Sequence, residues 1–138
     1  MTNGISVKKR NGRGVEPLDL EKIHNMVEEA CKDVTGVSAS QVEIQSGIQF
    51  YDGISTAEIQ EILIKSASDL ITLDNPNYQF VAARLLLFAT RKSLYGRSRD
   101  LPHLETHIMN CTNIDVYDKE IFGKYSKEEI DKANSFVD

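Results

Sequence analysis

The chain has no pair of cysteines close enough in sequence to build a framework. Its two, Cys31 and Cys111, lie far apart and neither belongs to a CxxC. That excludes a zinc ribbon or a disulfide scaffold, and two reduced thiols in a cytoplasmic protein are the expectation. Apolar runs are short as well. None approaches the ~18 residues of a membrane span, and the N-terminus has no signal-peptide core. A soluble cytoplasmic protein with no membrane partner is therefore expected. A GxxxxGK(S/T) loop is absent, which excludes a hydrolytic P-loop site. Internal repeats and low-complexity segments are absent too. Positive charge is in deficit, with 16 Lys and Arg against 21 Asp and Glu for a net charge of −5. A dedicated nucleic-acid binder is normally basic, so no nucleic-acid partner is expected.

What is present suits one domain with an appendage: 138 residues with an ordinary apolar share of 41%. The charge is unevenly spread. Lys8, Lys9, Arg10 and Arg13 all precede the first acid, Glu16, while the stretch from Asp115 is acid-rich. A local basic patch on an acidic protein suits a small anion better than a long polyanion.

The spacing predicts a β-hairpin followed by helices. Ile5 to Arg10 is the first strand, and Asn11-Gly12 is a strong hairpin signal, lengthened by Arg13-Gly14. Val15 to Leu18 returns, with Pro17 confining it to an edge. Asp19 caps a first helix whose stripe is Ile23, Met26, Val27, Ala30 and Val34, ended by Gly36. Ser38 caps a second segment, where Gly47 weakens a helix and the Val42/Ile44 and Ile48/Phe50 alternations leave a strand open. After an Asp52-Gly53 turn, Ser55 to Glu58 form a capping box. It opens a third helix carrying Ile59, Ile62, Leu63, Leu70 and Ile71. Asn75 caps a fourth helix with Pro76 in its first turn. Its inner face is Tyr78, Val81, Ala82, Leu85, Phe88 and Ala89, widened by Leu86 and Leu87 and stopped by Gly96. Arg97 to Pro102 reads as a joint. A fifth helix spans Leu104 to Cys111. A second capping box, Ser126 to Glu129, opens a last helix bearing Ile130 and Phe136-Val137, and the chain reads as cut there rather than finished. Cys31 reads as small core filler, and Arg84 as the partner of an acid within the helices. His103 and His107 have metal-compatible spacing but no third ligand nearby, so no metal is expected.

Several motifs in order carry a family resemblance. Val7-x-Lys9-Arg10-x-Gly12, with Glu16, Asp19 and Lys22-Ile23, resembles the opening of an ATP-cone. Gln49 to Ile54, Thr56 and Ile59 are similar to the cone of class I ribonucleotide reductase large subunits. So are Pro76-x-Tyr78-Gln79-x-x-Ala82-Ala83-Arg84-Leu85 and Arg91-Lys92-x-x-Tyr95-Gly96. Lys124-Tyr125-Ser126-x-Glu128-Glu129 resembles the helical stretch after the cone.

The resemblance implies a mainly α fold. A two- or three-stranded β lid, including the N-terminal β-hairpin, would cover a four-helix bundle over residues 1–96, and residues 97–138 would be a linker and short helical extension leading toward an absent catalytic domain. The cone would hold ATP or dATP, with Mg2+, as an allosteric effector. Lys9 and Arg10 would meet the phosphates from the lid and Lys92 from the opposite side, with a hydroxyl from Thr56. Glu16 and Asp19 would read the adenine edge, and Val7, Lys22, Ile23, Ile59 and Phe88 would line the pocket. Gln60 and Ala89 stand where family members that switch off with dATP often carry histidines near the ribose. That departure bears on ATP-versus-dATP discrimination and leaves the phosphate set intact. The implied partners are the remainder of the large subunit, the small subunit, and a second copy in a homo-oligomer. The segment would be regulatory and non-catalytic by itself. Alternatives are a stand-alone nucleotide-sensing or interaction module acting on a reductase, and the cone of a transcriptional repressor. The missing CxxC pairs and the negative charge speak against the repressor.

Overall fold

A computed structural model describes residues 4–9, 14–96 and 101–137. The chain is mainly helical with one small sheet and divides into two compact units, Met1–Ser98 and Arg99–Asp138. In the first unit β1 (Ser6–Lys8) pairs antiparallel with β2 (Val15–Pro17), setting Val7 opposite Glu16. Pro17 lies on an edge strand, where its missing N–H costs no ladder bond. The residues of the hairpin turn, Arg10 to Arg13, lie outside the described residues.

The sheet has a third strand, which directly follows the expected Asp52-Gly53 turn and makes the lid three-stranded. β3 (Ile54–Ser55) runs parallel to β1, with Val7 opposite Ile54. Two residues are too few for an alternation to be visible. Their pairing is fixed from the preceding turn: Gly53 adopts φ 83° and donates its N–H to the Ser6 carbonyl at 2.9 Å. The Ser6 N–H and hydroxyl both donate to Asp52 Oδ1, the former at 2.7 Å.

The first helix, α1 (Leu20–Cys31), starts where expected. Asp19 Oδ1 accepts from the N–H groups of Glu21 at 3.1 Å and Lys22 at 3.3 Å. It ends a turn before the expected stop at Gly36, so Val34 packs on the core from outside the helix. The cause is tertiary: Arg84 Nη1 donates to the carbonyls of Ala30, at 3.2 Å, and Lys32. Arg84 thus serves the helix's orphan carbonyls, not the acid anticipated for it. α2 (Ala39–Gly47) is a helix through Gly47, so the strand alternative is not adopted. Val42 is buried, whereas Ile44 and Ile48 face outward.

The capping box at α3 (Thr56–Asp69) is complete: Glu58 N–H reaches Ser55 Oγ at 3.2 Å and Ser55 N–H reaches Glu58 Oε2 at 2.8 Å. Leu70 caps its end and Ile71 lies beyond it, exposed. α4 (Tyr78–Tyr95) starts later than Asn75-Pro76 suggested. Asn75 turns its N–H to Thr72 Oγ1, and Asn77 takes the cap position while its side chain donates to the Thr35 carbonyl at 2.9 Å. Tyr78, Val81 and Leu85 are buried, but Leu86 and Leu87 are exposed and do not widen the core stripe. Gly96, at φ 73°, ends the helix in the left-handed conformation that glycine adopts without strain.

α1 packs on α2 and α4, and α3 packs on the same two helices. Their shared core, with Val27, Val42, Leu63, Val81 and Leu85 almost fully covered, includes Val7 and Ile54 from the sheet. The sheet is thereby anchored to the helices through one side chain from each of two strands.

In the second unit α5 (Leu104–Asn113) packs against α7 (Lys127–Asn134), with a four-residue α6 (Ile121–Lys124) between them in sequence. Ile108, Thr112 and Ile130 are buried. The Ser126/Glu129 capping box forms as expected. α7 stops at Asn134, whose Oδ1 accepts the Leu104 N–H at 2.8 Å, so Phe136 and Val137 lie past the helix and are exposed.

Candidate functional site

Beneath the sheet lies a cleft of about 570 Å³, a volume typical of small-molecule sites. β1 supplies Val7, and Lys9 follows it. Across the hairpin come Glu16 and Pro17 of β2, then Leu18. The start of α1 gives Asp19, Lys22, Ile23 and Met26, and the first turn of α3 gives Thr56, Ile59 and Gln60. The last turn of α4 adds Lys92 and Ser93, followed by Gly96.

Ten of the twelve residues singled out from sequence therefore line one cleft. Arg10 lies outside the described residues. Phe88 is not part of the lining. The cleft meets α4 only at its last turn, and Phe88, one turn earlier, is spent on the core. Five lining residues were missed: Pro17, Leu18, Met26, Ser93 and Gly96. Helical spacing could have found two of them, since Met26 follows Ile23 by three and Gly96 follows Lys92 by four.

The lining carries three lysines against two carboxylates, a net charge of +1 within a chain of −5. Lys9 Nζ stands 2.8 Å from Glu16 Oε1, and Lys22 Nζ stands 3.8 Å from Asp19 Oδ2. The hydrogen bond from Lys9 is the main reason that the Glu16 carboxyl titrates below its usual range; the charges of Lys9 and Lys22 assist, and burial and Asp19 oppose. Lys92 approaches from the opposite wall. Between the charged ends run Val7, Ile23, Met26 and Ile59.

Thr56 is the other polar feature. Its Oγ1 is buried and has no hydrogen-bond partner among the described residues. An orphaned buried hydroxyl costs about 1–3 kcal/mol. It sits on the capped N-terminal turn of α3, where amide donors and the helix dipole favour negative charge. The cleft thus has cations at two walls, an apolar strip between them and a hydroxyl at a helix N-terminus.

In the second unit His103, Glu105 and Asp131 bring ligand-type atoms within 4.8 Å of one another. His103 is otherwise employed. Its Nδ1 accepts the Glu105 N–H at 3.1 Å, capping α5, which leaves the proton of a neutral ring on Nε2, 3.4 Å from Asp131 Oδ1. The ring acts as a strut between α5 and α7. His107 instead lies near Cys111, Nε2 to Sγ 3.7 Å. Among the described residues no helix is long and apolar enough to cross a membrane.

Comparison with known proteins agrees in one direction. The sequence model of the ATP cone domain matches residues 5–93. The ribonucleoside-diphosphate reductase subunit alpha of Buchnera aphidicola subsp. Schizaphis graminum is 44% identical over 138 residues, which is 100% of this chain and 18% of that protein. Ribonucleoside-diphosphate reductase 1 subunit alpha of Escherichia coli K12 is 41% identical over 138 residues, again 100% of this chain and 18% of the relative. The subunit alpha of Helicobacter pylori 26695 is 50% identical over 107 residues, 78% of this chain and 13% of that one. The chain thus spans less than a fifth of the length of these relatives.

Proposed function

We propose, for a chain that belongs to the ATP cone family, that its cleft binds ATP or dATP as an allosteric effector. The observation that carries the proposal is the convergence of Lys9 and Lys92 from opposite walls on a cleft that also holds the partnerless Thr56 hydroxyl. A triphosphate needs cations from several elements. Lys9 and Lys92 supply them, Arg10 is proposed to add a third, and Thr56 gains the acceptor it lacks. The apolar strip of Ile23, Met26 and Ile59 suits a purine face, Glu16 and Asp19 offer acceptors for its amino group, and Gln60, on the α3 wall, would lie near the sugar. Any Mg2+ would arrive on the phosphates, because each lining carboxylate already faces a lysine.

In this reading the chain is the N-terminal regulatory region of a ribonucleotide reductase large subunit. Residues 1–96 are its cone, a β lid over a four-helix bundle, and residues 97–138 lead toward the catalytic domain. Nucleotide binding would shift the lid and the outer helix surface, and so change contacts with the small subunit or with another large subunit.

Titration calorimetry with ATP, dATP and GTP tests the site. Binding of both adenine nucleotides with weaker or no binding of GTP is expected; no heat from ATP or dATP at millimolar concentration overturns the reading. Light scattering of the full-length subunit with each nucleotide then tests the switch, which requires a change in assembly size.

A further inference from the structure

α2 is short and buries a single apolar side chain, Val42. Polar ties at and beside it therefore count for more than they would on a helix with a wide apolar stripe. One such tie runs to each of α4, α3 and α1. The N–H of Ser38, its N-cap, donates to the Tyr78 hydroxyl of α4 at 3.0 Å. Gln49 Nε2, just past its end, donates to Ser66 Oγ of α3 at 3.4 Å. Midway along it, Glu43 Oε1 meets His24 Nδ1 of α1 at 2.7 Å. The other ring nitrogen, Nε2, stands 3.2 Å from Glu28 Oε1, one turn on along α1. A carboxylate only accepts, so a ring with a carboxylate at each nitrogen needs a proton on both. A neutral ring would turn a bare lone pair toward one of them.

We infer that His24 is held as an imidazolium whose second proton fastens α2 to α1, so that the hold on α2 loosens as pH rises through neutrality. Of the three ties, two use N–H groups and hydroxyl oxygens. The third alone uses a side chain whose charge changes between about pH 5 and 8. The charges acting on the ring are Glu43 from α2, and Glu28 and Glu21 from α1 itself. α4, which also packs on α1, sends its Arg84 to the carbonyls of Ala30 and Lys32 at the far end of that helix. The hydrogen bond to Glu43 is the main reason that the ring keeps its proton above the ordinary value of 6.5; the charges of Glu43, Glu28 and Glu21 add to it, and burial opposes. A raised imidazole pKa lends stability that is complete below the unfolded value and is lost as pH climbs through the folded one. The side chain is nearly half exposed, at 46%. Solvent therefore takes the proton without the unit unfolding, and the loss falls on one joint.

The test follows the full chain by NMR across the range in which imidazole titrates, as wild type, Glu43→Gln and Glu28→Gln. The His24 ring should titrate above 6.5 in wild type. Glu43→Gln should lower that midpoint more than Glu28→Gln, because Glu43 is the nearer carboxylate. His103 and His107, in the other unit, should keep their ring signals in both variants. Amide exchange, corrected for its intrinsic dependence on pH, reads the joint. Through the His24 titration the amides of Val42 to Gly47 should lose protection relative to those of α3 by about two- to fivefold, the scale of an exposed ion pair. Glu43→Gln should abolish that step. A ring that titrates at or below 6.5 in wild type overturns the imidazolium. Protection of α2 that parallels α3 throughout overturns the joint, and so does a step that persists in Glu43→Gln.

Discussion

Glu58 is held by three donors: the Tyr51 hydroxyl at 2.7 Å, then the Ser55 N–H and hydroxyl at 2.8 Å each. Tyr51 is the largest cause, and together they pull its pKa from 4.5 to about 2. A lowered carboxyl pKa stabilises the fold above the unfolded value and ceases to do so as pH falls through the folded one. The urea midpoint should therefore fall between pH 4.5 and 2, and Glu58→Gln should flatten that slope; an unaltered slope would detach Glu58 from acid stability. At the cleft, Lys9→Ala and Lys92→Ala should each weaken ATP binding by about 1.5–3 kcal/mol, the worth of a hydrogen bond to a charged group. Calorimetry that finds both affinities unchanged removes the proposed phosphate site. Residues differ in how far they could be read in advance. Asp19 was legible as a cap because a short acceptor directly precedes the first apolar repeat. Arg84 was not, because its partners are backbone carbonyls, which every residue carries and no sequence pattern marks.

Elements were legible where local chemistry fixes them and blurred where another element does. Both capping boxes, the glycine stop at Gly96 and the edge strand at Pro17 follow from side chains within a few residues of one another. The end of α1 depends on Arg84, more than fifty residues away in sequence, and the start of α4 depends on what Asn77 finds at Thr35. β3 could not be read from its own two residues, and only the resemblance left a third strand open, because its pairing partner, β1, is remote in sequence. The join between β3 and α3 yields a prediction of its own. Ser55 is both the last strand residue and the N-cap of α3. Ser55→Ala should cost about 1 kcal/mol of stability, a typical cap value, and should also loosen the lid edge. Urea denaturation measures the first, and faster amide exchange at Gly53, whose N–H crosses to the Ser6 carbonyl, the second. A loss of stability with exchange at the strand unchanged would separate the two roles.

At the scale of the molecule, ten of the twelve residues singled out from sequence line one cleft, whereas the end of α1 and the start of α4 lie away from where the sequence suggested. Cleft residues arrive at spacings set by β-register and the first turns of helices, which are short-range. Phe88 failed that logic because a helix face can be shared between core and cleft along its length, and only packing decides where one gives way to the other. The pairing of Val7 with Ile54 has a further consequence. It joins positions that flank the whole of α1 and α2. Contacts of such sequence separation require closure of a long loop and come late. On the proposed reading the ceiling over the cleft would set after the helices that form its floor, and a nucleotide gripped from both sides would have little hold on the folding transition state. ATP should then slow unfolding without hastening refolding, as stopped-flow measurements at graded ATP would read; a refolding rate that climbs with ATP would date the lid earlier. Under the proposed function the third strand would make the effector a brake on the chain's disassembly, and residence time in the folded state would become a quantity that nucleotide supply can set.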